Sequence, residues 1–149
     1  MDIAPEIISL IDEIKNDKTH GASQLAKQAV KVLKIAAERS HADSIEQFLA
    51  EQKTVGERLM TAHPAMAPVF NVVNRFLGAV SEKPGEMDLD SARRFTISKA
   101  DELVNDSLQS IAQIASIGSG LIADGDRIMT HSYSSTVVDR DFPYQLVVS

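Results

Sequence analysis

Four hydroxyl side chains, Ser132, Ser134, Ser135 and Thr136, crowd one stretch of this chain, directly behind the run Asp124-Gly125-Asp126-Arg127-Ile128-Met129-Thr130. Asp-Gly-Asp reads as a turn, Arg127 to Thr130 as a short strand, and the hydroxyl run as a loop that opens a helix. Hydroxyls beside the free N–H groups of a helix start suit a phosphate. The plain alternative is a capping cluster with no ligand. Covalent catalysis by Ser132 finds little support. The chain has no G-x-S-x-G elbow, and in a strand the adjacent His131 side chain would point to the opposite face.

A second candidate anion site is Gly21-Ala22-Ser23 at the start of another helix. Free N–H groups and the positive end of the helix dipole meet there. Small residues also serve an ordinary helix start, so this pattern alone does not require a ligand. The histidines are His20, His41, His63 and His131. No two have the i, i+4 spacing of a helical metal pair, so neither a metal nor another cofactor is expected. His63, before Pro64, and His131, at a strand end, would meet only if the fold brought them together. The lack of any cysteine excludes disulfides, thiolate catalysis and zinc–thiolate sites.

The elements that would carry these residues are helical. Ile7, Ile8, Leu10, Ile11 and Ile14 form an apolar stripe behind Pro5, and Asn16-Asp17-Lys18 ends it. Gly21 opens a second helix with Leu25, Ala26, Ala29, Val32, Leu33 and Ala36 at spacings of three and four. Lys27, Lys31 and Lys34 read as its solvated face. Asp43 or Ser44 caps a third helix with Ile45, Phe48, Leu49, Val55, Leu59 and Met60 inward, and Ser44 to Gln47 has the form of a capping box. Pro64 ends it. Ala65 to Val80 is a fourth helix, and Ser81 to Asp88 a turn-rich break. A long fifth helix is expected from about Asp90 to about Ala123, with Phe95, Leu103, Val104, Leu108, Ile111, Ile114, Ala115 and Leu121 buried. Its last third is apolar on nearly every side and should be covered on more than one face, by its own domain or by another subunit.

At 149 residues with 44% apolar and 24% charged residues, the chain has the makings of one ordinary globular domain. A net charge of -6, five Phe, two Tyr and no Trp argue against phosphate-backbone binding and base stacking, so no direct nucleic-acid partner is expected. The acidic N-terminus lacks a signal-peptide n-region, and no apolar run approaches a membrane span; the expectation is a cytoplasmic chain with no membrane contact.

The helix start THGASQLAKQAVKVL, the segment RLMTAHPAMAPVFNVVNRFL, and the run IAQIASIGSGLIADGDRIMTHSYSST resemble, in this order, the translation initiation factor 2B alpha/beta/delta family. That family includes the archaeal ribose-1,5-bisphosphate isomerases. The likeness covers about Ile7 to Val138, and its last run is the most specific. It implies an N-terminal helical domain followed by a Rossmann-like domain that supplies most of the ligand site and the dimer contacts. Carried over by position, it assigns phosphate or ligand contact to His20, Gly21, Ala22, Ser23, His63, Ser132, Ser134, Ser135 and Thr136. The catalytic groups do not carry over. His20 and His63 stand where the isomerases have arginine, and Ser132 where they have their cysteine. A serine hydroxyl, with its far higher pKa, would not act as the same base. The isomerases' catalytic aspartate would lie beyond Ser149. The tail VVDRDFPYQLVVS departs from the family and breaks its helix with Pro143, which suggests a truncated product or a frameshift; an artificial end is the alternative.

The resulting expectation is a mainly α fold: an antiparallel domain of about five helices over residues 1–123, then one residual short strand, a hydroxyl-rich loop and a divergent tail of a truncated Rossmann-like domain over residues 124–149. The function expected first is a non-catalytic initiation-factor-2B-related subunit or fragment. Its partners would be further copies of itself, related 2B-type subunits and initiation factor 2. The alternative is a protein that binds a sugar phosphate or nucleotide phosphate, a relative of the isomerases with altered chemistry.

Overall fold

One-sided apolar stripes with stop signals between them fold into successive helices. The computed structural model describes residues 3–82, 87–127 and 129. Among these residues the elements are α1 (Pro5–Asn16), α2 (Ala22–Glu38), α3 (Ile45–Ala62), α4 (Ala67–Ser81) and α5 (Leu89–Gly120). No strand occurs among them. Of the strand expected at residues 127–130, Arg127 and Met129 are described and carry none, while Ile128 and Thr130 lie outside the described residues. The turn at Asp124-Gly125-Asp126 is present. Gly125 takes φ +90, a value that only glycine adopts cheaply, and the Asp126 carboxylate accepts the Ala123 N–H at 2.7 Å.

The chain forms two compact units, Met1–Val104 and Asn105–Ser149. In the first, α2 packs against α1, α3 and α4. Its buried residues Leu25, Ala29, Val30, Val32, Leu33, Ala36 and Ala37 cover more than one face, which suits a central helix. The larger core joins all of these but Ala37 to Ile7, Ile11 and Ile14 of α1, Val55 and Leu59 of α3, Val69, Val73 and Phe76 of α4, and Leu103 of α5. A smaller cluster gathers Ala37, Ala42, Phe48 and Ala92. Each large side chain enclosed this way contributes roughly 1.5–3 kcal/mol relative to exposure.

Two details fix how α3 sits. Gly56 is buried where an added Cβ would stand 2.6 Å from Leu77 Cδ1, so any side chain there would force Leu77 of α4 to move aside. Gln52, 1% exposed, lays its amide against α2, with the nitrogen facing the Leu33 carbonyl at 3.3 Å and the oxygen facing the Ala37 N–H at 3.2 Å.

The caps follow the sequence. Ser44 is the N-cap of α3, and its hydroxyl accepts the Gln47 N–H at 3.2 Å. Gln47 reaches back to the N–H of Asp43, one residue earlier than in a strict capping box, at 3.1 Å. Ser44→Ala is expected to cost about 1 kcal/mol in urea unfolding, the usual worth of such a cap; no change would mean that Gln47 and water satisfy this end unaided. Asp88 starts α5 in the same manner. Its carboxylate accepts the Ser91 N–H at 2.7 Å and is held below the usual carboxylate range, first by that backbone bond and then by the Ser91 hydroxyl.

Two expectations need correction. Lys34 is not simply solvated: its Nζ bonds both oxygens of Asp101 at 2.7 and 2.9 Å, which ties α2 to α5 and raises its pKa. The stripe of α5 is buried only at Ala92, Thr96, Ala100 and Leu103. Beyond that point Leu108, Ile114 and Leu121 are 50%, 56% and 81% exposed. The sequence pattern marks a face that repels water, but it cannot say that something covers that face. The helix also ends at Gly120, three residues before the expected Ala123.

Candidate functional site

The turn from α1 to α2 is organised by one carboxylate. Asp17 follows α1 as its C-cap. Its Oδ1 accepts the N–H groups of Thr19 and His20, each at 2.8 Å, and the Thr19 hydroxyl at 3.2 Å. Its Oδ2 lies 2.5 Å from His20 Nδ1. The His20 backbone bond, then the His20 ring, then the Thr19 N–H hold Asp17 far below the usual carboxylate range. An ionised carboxylate only accepts, so Nδ1 of His20 carries the proton and Nε2 is left for any outside partner. The backbone carbonyl of the same Asp17 lies 3.3 Å from His63 Nε2. That ring nitrogen must therefore donate.

The two histidines, from positions 43 residues apart in the sequence, are thus joined through Asp17. His63 itself is the C-cap of α3, half-buried, and its carbonyl accepts the Met66 N–H at 2.9 Å in the turn to α4. Gly21 is the N-cap of α2, with no side-chain cap. Ala22 and Ser23 are the first two helical residues, both partly buried. Ser132, Ser134, Ser135 and Thr136 lie outside the described residues, as does His131.

Beside the turn a groove of about 350 Å³ runs between α1 and α2, with Ile14 and Val32 on its floor and Asp17, His20 and Lys31 at its rim. What the groove offers a ligand is one imidazole nitrogen, Lys31 and the Gln28 amide, beside a second carboxylate, Glu13. Among the described residues no group of three His, Cys, Asp or Glu side chains could hold a metal ion, and no helix is long and apolar enough to cross a membrane.

Asp17 is the residue that sequence reasoning missed, having taken it only as a helix stop. The signal was present in Asp17-Lys18-Thr19-His20. An aspartate before a threonine two positions on is the pattern of an Asx turn, and the histidine three positions on places a ring within reach.

Asp17→Asn keeps the shape of the turn and removes the charge. A carboxylate whose folded pKa is depressed contributes stability above its unfolded value and loses it as pH falls through the folded value. The wild-type advantage over Asp17→Asn is therefore expected to be constant above the ordinary value of 3.8 and to shrink as the solution is made more acidic than that. Urea midpoints across the acid range check this. An advantage that grew on acidification would show that the charge opposes folding.

Residues 18–140 match the sequence profile of the initiation factor 2 subunit family. The chain is 29% identical over 140 residues to the ribose 1,5-bisphosphate isomerase of Thermococcus kodakarensis, covering 93% of this chain and 43% of that protein. Its fold superposes on a chain of the tetrameric eIF2B-beta2-delta2 complex from C. thermophilum with a TM-score of 0.77 and 26% identity, over 91% of this chain and 45% of that one. On the 5-methylthioribose 1-phosphate isomerase of Pyrococcus horikoshii OT3 the TM-score is 0.76 and the identity 25%, over 87% of this chain and 36% of that one. The chain thus spans less than half the length of the curated relatives it matches.

Proposed function

Because this chain belongs to the initiation factor 2 subunit family, we propose that it is a non-catalytic, translation-initiation-factor-2B-related subunit that acts through protein–protein contacts in the cytoplasm. Its partners are related 2B-type subunits and, through them, initiation factor 2. The helical domain of residues 1–123 carries these contacts.

One observation carries this reading. The two positions where the resemblance calls for arginines on a phosphate hold histidines, and both are engaged inside the domain, on Asp17. An arginine offers five donors and a fixed charge; His20 here offers one free ring nitrogen. The partner that orients it is itself an anion, so a phosphate at this turn would meet a carboxylate 2.5 Å from the very ring it would have to approach. The likeness to an eIF2B beta–delta assembly agrees with a subunit role.

Purified full-length chain is to be mixed with 2B-type subunits of its own organism, and with ribose-1,5-bisphosphate or AMP in a calorimeter. Co-purification with a related subunit and no heat from either ligand is the expected pair of results. Failure to join any such subunit, or initiation factor 2, would sink the subunit role.

A second reading is favoured by the likeness to ribose 1,5-bisphosphate isomerases. In it Gly21, Ala22, Ser23, Ser134, Ser135 and Thr136 bind a phosphorylated sugar or nucleotide. Ligand heat lost in Ser134→Ala with Ser135→Ala would establish it, and no heat with either ligand would remove it.

A further inference from the structure

A cleft of about 300 Å³ runs between α1 and α3, away from the His20 groove. Ile8, Ile11, Asp12 and Lys15 line it from α1, and Arg58 and Thr61 from α3. Spacings of three and four put the α1 residues within one arc of about 100° on that helix, and Arg58 and Thr61 on one face of theirs. Ile11 is buried at the base, and the charged residues are exposed.

The charges in this cleft are unanswered. Elsewhere in the first unit, Arg39 meets Glu6, Arg93 meets Asp90 and the Ser40 carbonyl, and Arg94 meets the Ser91 hydroxyl; Arg75 is engaged as well. The Arg58 guanidinium makes no hydrogen bond or ion pair among the described residues, and neither do the Lys15 ammonium and the Asp12 carboxylate. Acids are not in short supply, at 21 against 15 Lys and Arg. Lys15 has a plain reason for its place, since it sits in the last turn of α1 and complements the helix dipole. Arg58 has no such reason, because α3 carries no basic residue in its last turn. The Thr61 hydroxyl donates to the Glu57 and Arg58 carbonyls at 3.0 Å, so towards a ligand it can only accept.

Two cations and one carboxylate over an apolar base are complementary to a molecule with two anionic groups, one cationic group and a short aliphatic body. A volume of about 300 Å³ lies at the small end of ligand pockets, which suits a metabolite of few atoms. Phosphate fits less well, because its charge is concentrated in one group that Asp12 would repel. We propose that the α1–α3 cleft binds a small amino dicarboxylic acid, with Arg58 and Lys15 on its carboxylates and Asp12 on its ammonium. Arg58 offers a carboxylate two parallel N–H groups. This inference does not rest on the subunit role.

The test is a titration of the ¹⁵N-labelled full chain with L-glutamate, followed by NMR at constant ionic strength. Exposed ion pairs are weak, so saturation is expected in the range of about 1–10 mM. The amides that shift should be those of residues 12–16 and 58–62, on both helices. Arg58→Gln should weaken binding about fivefold or more, and Arg58→Lys less, since it keeps the charge and loses the fork. Asp12→Asn should weaken L-glutamate about twofold and tighten glutarate, which lacks the ammonium, by a similar factor. All these positions are exposed, so the variants should fold as the wild type does. No saturable shift by about 50 mM L-glutamate overturns the proposal. So does an unchanged response in Arg58→Gln, wild-type binding of glutarate as tight as that of L-glutamate, or the same shifts with inorganic phosphate, which would mark an unselective cationic patch.

Discussion

Phe76→Ala is expected to destabilise the domain by about 3–5 kcal/mol, the cost of removing a ring from a closed core and leaving a cavity. Phe76 is 0% exposed in the middle of α4, within the cluster that joins α4 to α2 and α3. Against a typical total of about 5–15 kcal/mol, such a loss brings a domain of this size close to unfolding. The denaturation midpoint should fall with little change in slope. Phe70 on the same helix is 51% exposed and serves as the control; Phe70→Ala should stay within about 0.5 kcal/mol. Similar losses from the two variants would mean that the buried face of α4 has been misassigned.

Gln52→Glu is expected to be nearly as damaging at neutral pH and far milder in acid. The site is 1% exposed and faces the Leu33 carbonyl, which would repel a carboxylate. Burial raises the folded pKa of such a group above its unfolded value near 4.3. Below that value both states are protonated and the variant resembles wild type. As pH rises, only the unfolded chain ionises at first, so stability falls until the folded pKa is passed and then levels off. The full cost of an uncompensated buried charge is about 3–5 kcal/mol. Gln52→Met tests the other side. Leu33 C=O and Ala37 N–H stand four residues apart in α2 and satisfy each other there, so an apolar replacement leaves no orphan and should cost less than about 1.5 kcal/mol. A pH-independent loss in Gln52→Glu would sink this account.

The first four helices were legible because each carries a stripe on one side and a stop beyond it: Asp17 after α1, Gly21 before α2, Ser44 before α3, Pro64 after it. Turn and cap chemistry is local, so Ser44 and the Asp124-Gly125-Asp126 turn could be placed from neighbouring residues alone. Contacts across the fold could not. Lys34 finds Asp101 67 residues on, and His63 finds Asp17 46 residues back; no spacing rule reaches that far. Gln52 escaped notice for a related reason, since a polar residue on an apolar face looks like an exception until its partner is seen on another helix. For the distal part of α5, the apolar pattern marked a face that avoids water but not whether its cover lies within this chain, and Leu108, Ile114 and Leu121 are exposed in it. At the candidate site, Gly21 and His20 were legible as residue types and the Asp17–His20 contact lay within local spacing, whereas the bond from His63 to the backbone carbonyl of Asp17 was visible only in space.

The position of α2 has a consequence for how the molecule breathes. Because it touches α1, α3 and α4 and is enclosed on more than one face, its amides cannot meet solvent unless its neighbours separate. They should exchange hydrogen for deuterium most slowly in the chain, at the rate set by complete unfolding, while amides near Gly118 and Gly120, at the fraying end of α5, exchange many orders of magnitude sooner through small local openings.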